Sequence, residues 1–269
     1  MSTEPRASCA VDADGRITFD LPLRPAEGQQ LLLRLRPKKG LPEQALHLLD
    51  MEPLDDGRGR AVLGGQPVLE EGRWDVYLLQ GPGSPRQRLR PGLRDLRELV
   101  EGRLRDWQAP LAVRIPYVTK DGYLAVRTWL RPAHAEVEGI DVTDRSMTVR
   151  ARLHGASLGE GPVVRLRRRG DSGAVHTLEP RAGNDDARSF SFTVDHAELV
   201  GGTGGGSGVW NVFVQPAAKA PPIRVARLLD DVADRKGVFV YRAVTVGGAV
   251  LRPYYTVDND LSVEVTQAD

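Results

Sequence analysis

The sequence predicts an all-β protein built from two similar halves, and three observations predict it. The first is internal repetition: GRWDVYLL at Gly72 to Leu79 matches GVWNVFVQ at Gly208 to Gln215, and IPYVTKDGYLAV at Ile115 to Val126 matches RPYYTVDNDLSV at Arg252 to Val263. Trp74 pairs with Trp210 at an offset of 136, and Pro116 and Tyr117 pair with Pro253 and Tyr254 at 137. Near-constant offsets over this distance mark a duplicated folding unit. The second is the alternation of apolar or β-branched residues with polar ones in short runs. The third is the Gly, Pro, Asp and Asn residues that bound those runs, the signature of short antiparallel strands. About seven such strands per copy is the pattern of an immunoglobulin-like sandwich. We therefore expect two tandem antiparallel immunoglobulin-like β-sandwiches related by internal duplication, copy 1 over residues 1–133 and copy 2 over residues 134–269.

The elements can be justified in order. Ile17, Phe19 and Leu21 alternate as one strand, and Val149, Ala151 and Leu153 as another. EGQQLLLRLR at Glu27 to Arg36 lies against EGPVVRLRRR at Glu160 to Arg169 at an offset of 133, and ALHLL at Ala45 to Leu49 against AVHTL at Ala174 to Leu178 at 129. Such drift signals loop insertions between fixed strands. Phe190, Phe192 and Val194 form a further strand, followed by the insertion GGTGGGSG at Gly201 to Gly208, which reads as a flexible hairpin loop. RLRPGLRDL at Arg88 to Leu96 lies against RVARLLDDV at Arg224 to Val232, again at 136. Leu93, Leu96, Val100 and Leu104 recur at three to four residues with Glu101 and Arg105 at i,i+4, so Leu93 to Trp107 is expected to be one short helix. Its partner Leu228 to Asp234 reads as a single turn, and Val238, Val240 and Ala243 as another strand. Lys120 to Gly122, Gly247-Gly248 and Asp258 to Asp260 are tight turns in which Gly or Asn supplies a positive φ. The copies join near Arg131 to Glu136.

Composition narrows the function. At 269 residues, 41% hydrophobic and 27% charged, the chain is an ordinary globular protein long enough for two cores. No stretch approaches the roughly 20 apolar residues of a transmembrane segment, and the first residues lack a signal-peptide pattern, so we expect cytoplasmic residence. Net charge of +1 argues against nucleic acid as a partner. Only 5 of the 37 basic residues are lysines, which we read as the coding bias of a GC-rich, actinobacterial-type genome. The single Cys9 has no partner for an internal disulfide, so packing must hold both sandwiches.

Short motifs offer chemistry that their settings withdraw. Gly155-Ala156-Ser157-Leu158-Gly159 fits a nucleophile elbow, but a strand rather than a helix follows. Gly170-Asp171-Ser172-Gly173 resembles a serine-protease nucleophile segment without the histidine setting a triad requires. The histidines His47, His134, His154, His176 and His196 are never within five residues of one another, and Asp12 with Asp14, or Asp258 with Asp260, reads as turn capping. No catalytic residue, cofactor site or metal site is expected.

Binding surfaces remain. Trp74 and Trp210, and Tyr117 and Tyr254, recur in both copies and serve the fold, with each tyrosine at the start of a strand. Trp107 and Trp129 have no counterparts, which makes them candidates for a contact surface. Arg165 and Arg167, with Arg168 and Arg169, crowd one strand, and Arg86, Arg88, Arg90 and Arg94 another; an anion-binding face is the functional reading, a solvated strand face the plain one. Arg131, His134 and Asp141 near the junction are what a rival, enzymatic reading would use. Trp107, Trp129, Arg131, His134, Arg165 and Arg167 together form the candidate contact surface.

The closing hairpins Arg114 to Arg127 and Leu251 to Val265, each with the tryptophan strand before it, resemble the tandem immunoglobulin-like domains at the C-terminus of bacterial family-2 glycosyltransferases, of which the wall teichoic acid polyribitol-phosphate glycosyltransferases are an example. The resemblance implies domains that support oligomerisation and polymer binding while catalysis belongs to an N-terminal nucleotide-sugar domain. This chain has no strand-helix alternation of that kind. The expected role is a non-catalytic binding or assembly module, accessory to a separate glycosyltransferase or other cell-envelope or natural-product enzyme, with a glycan or anionic ligand, or a second copy of itself, as further partners. The alternative is an enzyme with an unrecognised active site between the two domains.

Overall fold

The computed structural model describes residues 4–37, 40, 42, 45–66, 68–101, 110–170, 173–183 and 186–268. It is nearly all β, with 22 strands and two short helices among the described residues. It divides into two compact units, the second made chiefly of Arg131–Leu228 and Asp234–Asp269. No described helix is long and apolar enough to cross a membrane.

The first unit runs β1 (Arg6–Val11), β2 (Ile17–Leu21), β3 (Gln30–Leu35), β4 (Leu46–Asp50), β5 (Glu52–Pro53), β6 (Gly59–Leu63), β7 (Gly72–Leu79), β8 (Gln87–Arg88), β9 (Arg90–Asp95), α1 (Arg97–Glu101), β10 (Leu111–Val118) and β11 (Leu124–Arg131). These form a five-stranded sheet in the order β5-β6-β2-β1-β9 and a second sheet in the order β10-β11-β7-β3-β4, with β8 beside β7. The second unit runs β12 (His134–Val142), β13 (Ser146–His154), β14 (Val163–Arg168), β15 (Val175–Leu178), β16 (Arg181–Ala182), β17 (Ser189–Asp195), α2 (His196–Gly201), β18 (Gly208–Gln215), β19 (Ile223–Ala226), β20 (Val244–Val246), β21 (Ala249–Tyr255) and β22 (Leu261–Gln267). Its order β16-β17-β13-β12-β19, continuing through β18-β22-β21 with β14 and β15 beyond β18, repeats the first unit, and β20 adds an edge strand on β21 that has no counterpart among the first unit's described strands.

The register repeats as well. Trp74 faces Val126 across the ladder and Trp210 faces Val263; Leu33 faces His47 and Leu166 faces His176. Alternation then fixes what is inside. Ile17, Phe19, Leu31, Leu33, Trp74 and Val76 are buried in the first unit, as are Val149, Ala151, Val164, Leu166, Trp210 and Val212 in the second. Each large apolar side chain taken out of water contributes about 1.5–3 kcal/mol.

Several expectations are corrected. Each unit has one parallel pairing, β1 with β9 and β12 with β19. It arises because a strand changes sheets: Arg88 pairs with Tyr77 on β7 before Arg90 and Pro91 pair with β1, and Arg224 pairs with Phe213 on β18 before Val225 pairs with Ala135. That pairing also displaces the expected helix. Leu93 to Asp95 belong to β9, whose backbone is satisfied by β1, Leu93 is 85% exposed, and only Arg97–Glu101 is helical before the described residues end. Leu104 and Arg105 lie outside the described residues.

No helix forms over 228–234, and 239–243 form no strand, with Val240 72% exposed. Phe239 and Tyr241 of that segment pack beside Tyr255 instead. An unexpected helix, α2, opens on Asp195, whose carboxylate accepts from Ala197 N at 2.8 Å. The glycine tract is therefore partly structural: Gly201 ends α2, and a Cβ on Gly202 would lie 2.8 Å from the Trp210 ring. Tyr117 and Tyr254 stand near the ends of β10 and β21, not at their starts.

Candidate functional site

The faces of the two Trp-bearing sheets opposite the tryptophans carry the arginines, because side chains alternate along a strand; on the first of these faces Leu32, Asp75, Tyr77 and Ala125 are themselves buried. In the first unit, Arg34, Asp75 and Ala125 form one cross-strand row, and Leu32, Tyr77 and Arg88 the next. In the second, Arg167, Asn211 and Ser262 form the corresponding row, and Arg165, Phe213 and Arg224 the next. One residue beyond each ladder, Arg36 N donates to Arg73 O and Arg169 N to Val209 O, both at 2.8 Å. Arg36, Asp75 and Arg88 thus correspond to Arg169, Asn211 and Arg224.

The chemistry of the two clusters differs at the centre. Asp75 binds Arg36 in a fork, with Nε 3.0 Å from each carboxylate oxygen and Nη2 2.7 Å from Oδ1, and it accepts from Arg88 Nη2 at 3.0 Å. The carboxylate neutralises one of the two cations it holds. Arg88 and Arg90 also pack over the Tyr123 ring, 4.1 and 4.0 Å from its centroid. In the second unit a neutral amide does the same work: Asn211 Oδ1 accepts from Arg169 Nη2 at 3.1 Å, Arg224 Nη2 at 3.1 Å and Ser262 Oγ at 3.1 Å.

The second cluster's acid stands aside, on the β21–β22 hairpin. Asp260 lies 3.4 Å from Arg224 Nε and 3.7 Å from Arg131 Nη2. Burial pushes the Asp260 carboxyl up, against the opposing pull of Arg224 and Arg131. Burial likewise pushes the Arg224 guanidinium down, with Asp260 restoring part of it. Beside Asn211 is an open depression of about 400 Å³, bordered by Arg169, Arg224, Lys236, Tyr254 and Thr256.

The structure distributes the six expected contact residues unevenly. Arg165 is half-buried and Arg167 exposed on this face, with Arg167 5.9 Å from the Phe213 ring and Arg224 4.8 Å from it. Arg131 reaches the site's edge through Asp260. Trp129 is 1% exposed with Arg127 against its ring at 4.8 Å, so it offers no aromatic contact surface, a correction that follows from its burial. Trp107 lies outside the described residues. His134 is 2% exposed: its Nε2 lies 2.7 Å from Glu136 Oε2, which also accepts from Leu228 N at 2.7 Å, and its ring stacks on His154 at 6.2 Å. It is a tied interior group on a different strand row.

Asn211, Arg224 and Lys236 were not singled out from the sequence as site residues, and Tyr254 was assigned to the fold and Asp260 to turn capping, although the repeat itself displays aspartate against asparagine in GRWDVYLL and GVWNVFVQ.

The suspect motifs resolve structurally. Ser157 is exposed in the connection from β13 to β14, with no helix after it. Asp171 and Ser172 lie outside the described residues. Asp12 does cap its turn, accepting from Asp14 N and Arg16 N at 3.0 Å, but at 256–260 the cap is Thr256 Oγ1, which frees Asp260 for the arginines. The Cys9 thiol is buried and pushed up to about 12 by that burial, hence unreactive. Among the described residues, no histidine hydrogen-bonds a hydroxyl or thiol side chain, and no three His, Cys, Asp or Glu side chains gather as metal ligands.

Fold and site together define a duplicated β-sandwich protein with an arginine-bearing sheet face in each unit. No protein-family model matches the chain, and no curated protein matches it. Among solved structures it is similar to part of S. aureus TarS, with a TM-score of 0.38 and 14% identity over 58% of this chain and 28% of that one. A structure of S. aureus TarS 217-571 gives a TM-score of 0.31 and 13% identity over 72% of this chain and 56% of that one. The matched region is thus about a quarter to a half of those chains.

Proposed function

We propose that the chain is a non-catalytic binding or assembly module, accessory to a separate glycosyltransferase or other cell-envelope or natural-product enzyme. The observation that carries this reading is the pair of corresponding sheet faces, which carry arginines and aromatic rings at matching positions, Arg36, Asp75 and Arg88 in one and Arg169, Asn211 and Arg224 in the other; ion pairs occur on and off these faces. Arg36 with Asp75, Arg60 with Asp20 and Arg152 with Asp186 are examples. Faces of this kind suit glycan, anion or protein contacts. The class of enzyme partner comes from the sequence resemblance of the closing hairpins, and cytoplasmic residence and self-association belong to the same reading.

The enzymatic alternative gains no support from its own residues: His134 is held by Glu136, Asp141 by Arg150 and Arg131 by Asp260.

The test is to mix the purified chain with a glycosyltransferase encoded beside its gene and measure mass by light scattering, with sugar-nucleotide turnover assayed in parallel. A complex heavier than either component, with no turnover by the chain alone, is expected. Turnover by the isolated chain would overturn the reading.

A further inference from the structure

We propose that the depression beside Asn211 is an oxyanion site for a phosphate group, present because the second unit has an amide where the first has a carboxylate. In the first unit the guanidinium pair closes on its own counter-ion, Asp75. In the second, the corresponding position is Asn211, and the arginines converge on an amide oxygen that carries no charge. Asp260 answers part of the charge on Arg224 from the hairpin, whereas Arg169 meets only the neutral amide, so its charge is left to be answered from outside.

Three further features aim that charge outward. Arg169 is exposed and spends one side-chain hydrogen bond on Asn211, leaving most of its fork of donors for a ligand. Lys236 is exposed and borders the same depression, with no ion pair among the described residues. Asn211 Nδ2 donates no hydrogen bond among the described residues, so it too can serve an incoming oxygen. Asp258 and Asp260 stand on the rim, and Asp260 is engaged with Arg224 and Arg131. Arg169 and Lys236 are therefore the pair that closes on the anion, with Arg224 behind them fixing Asn211. This rests on the reading of the sheet faces as contact surfaces, but it concerns one site in one unit.

The test is a titration of the full chain with inorganic phosphate at constant ionic strength, followed by calorimetry or amide shifts, for the wild type, Asn211→Asp and Arg150→Ala. Asn211→Asp supplies the counter-ion that the first unit already accommodates at the same register, so it should fold normally by circular dichroism and thermal melting. We expect saturable binding by the wild type, affinity at least about tenfold weaker for Asn211→Asp, and no change for Arg150→Ala, whose guanidinium pairs with Asp141 elsewhere. A dialkyl phosphate diester run in parallel distinguishes a terminal phosphate, bound in preference to the diester, from a phosphodiester linkage, bound equally well.

Absence of saturable phosphate and diester binding by the wild type, or undiminished binding by a folded Asn211→Asp, would overturn the proposal. Either result leaves enzyme-complex formation untouched, so failure here is separable from failure of the accessory-module reading.

Discussion

Asp75 holds two arginines at once, and removing it is the simplest residue-scale probe of the first unit. Asp75→Ala leaves Arg36 and Arg88 facing each other over a nearly buried position. Loss of charge-assisted hydrogen bonds of this kind costs about 1.5–3 kcal/mol, discounted here toward the lower end because both guanidiniums remain partly exposed. Urea titration of the variant measures it. His154 gives a pH-dependent counterpart. Burial, with the His134 ring beside it, pushes its imidazole down to about 4 from 6.5. The folded pKa lies below the unfolded one, so the unfolded chain binds the proton first, and stability present above about 6.5 is lost as pH falls toward about 4. Denaturation at pH 7 and pH 5 should show this loss, and His154→Gln should reduce it by about one proton's worth of slope.

At the scale of elements, turns and tryptophan strands were legible because their information is local. The turn at Lys120 to Gly122 uses Gly122 at φ 78°, and its counterpart uses Asn259 at φ 60°, a non-glycine residue in the left-handed region. Asn259 is kept there by its side chain, whose Oδ1 accepts from Arg235 N at 3.1 Å. Asn259→Ala should cost about 1–3 kcal/mol, combining positive-φ strain with a lost buried acceptor. Asn259→Gly, which relieves the strain, should cost less, and comparing the two melting curves separates the terms.

The helix expected from Leu93 begins only at Arg97 for a physical reason. Its periodicity is real, but the β9 backbone finds hydrogen bonds on β1, 84 to 85 residues earlier, and nothing local announces such a partner. The glycine tract was misread similarly, since the need for Gly202 comes from the Trp210 ring against it. Gly202→Ala should destabilise the second unit by about 1–3 kcal/mol through overpacking, measurable by urea titration. The site was legible only in part. Arg165 and Arg167 stood out as a run, whereas Asn211, Arg224 and Asp260 come from three strands or strand ends that only the folded sheet brings together.

For the whole molecule, the account is that one sandwich was written twice, keeping core and register while the sheet faces diverged. The offset is 133 at β3, 129 at β4 and 136 to 137 from β7 to β11, shifting only in the connections, because pairing across the ladder ties each strand to its neighbour. Divergence then collected where a side chain could change without disturbing packing, as at Asp75 and Asn211. The most direct measurement is a methyl and aromatic NOE spectrum of the full chain. The account predicts close contacts from Val126 methyls to Trp74 and from Val263 methyls to Trp210, the same pair in each unit. Contacts to Trp74 from Val126 without their counterpart at Trp210, or from strands in a different order, would contradict it.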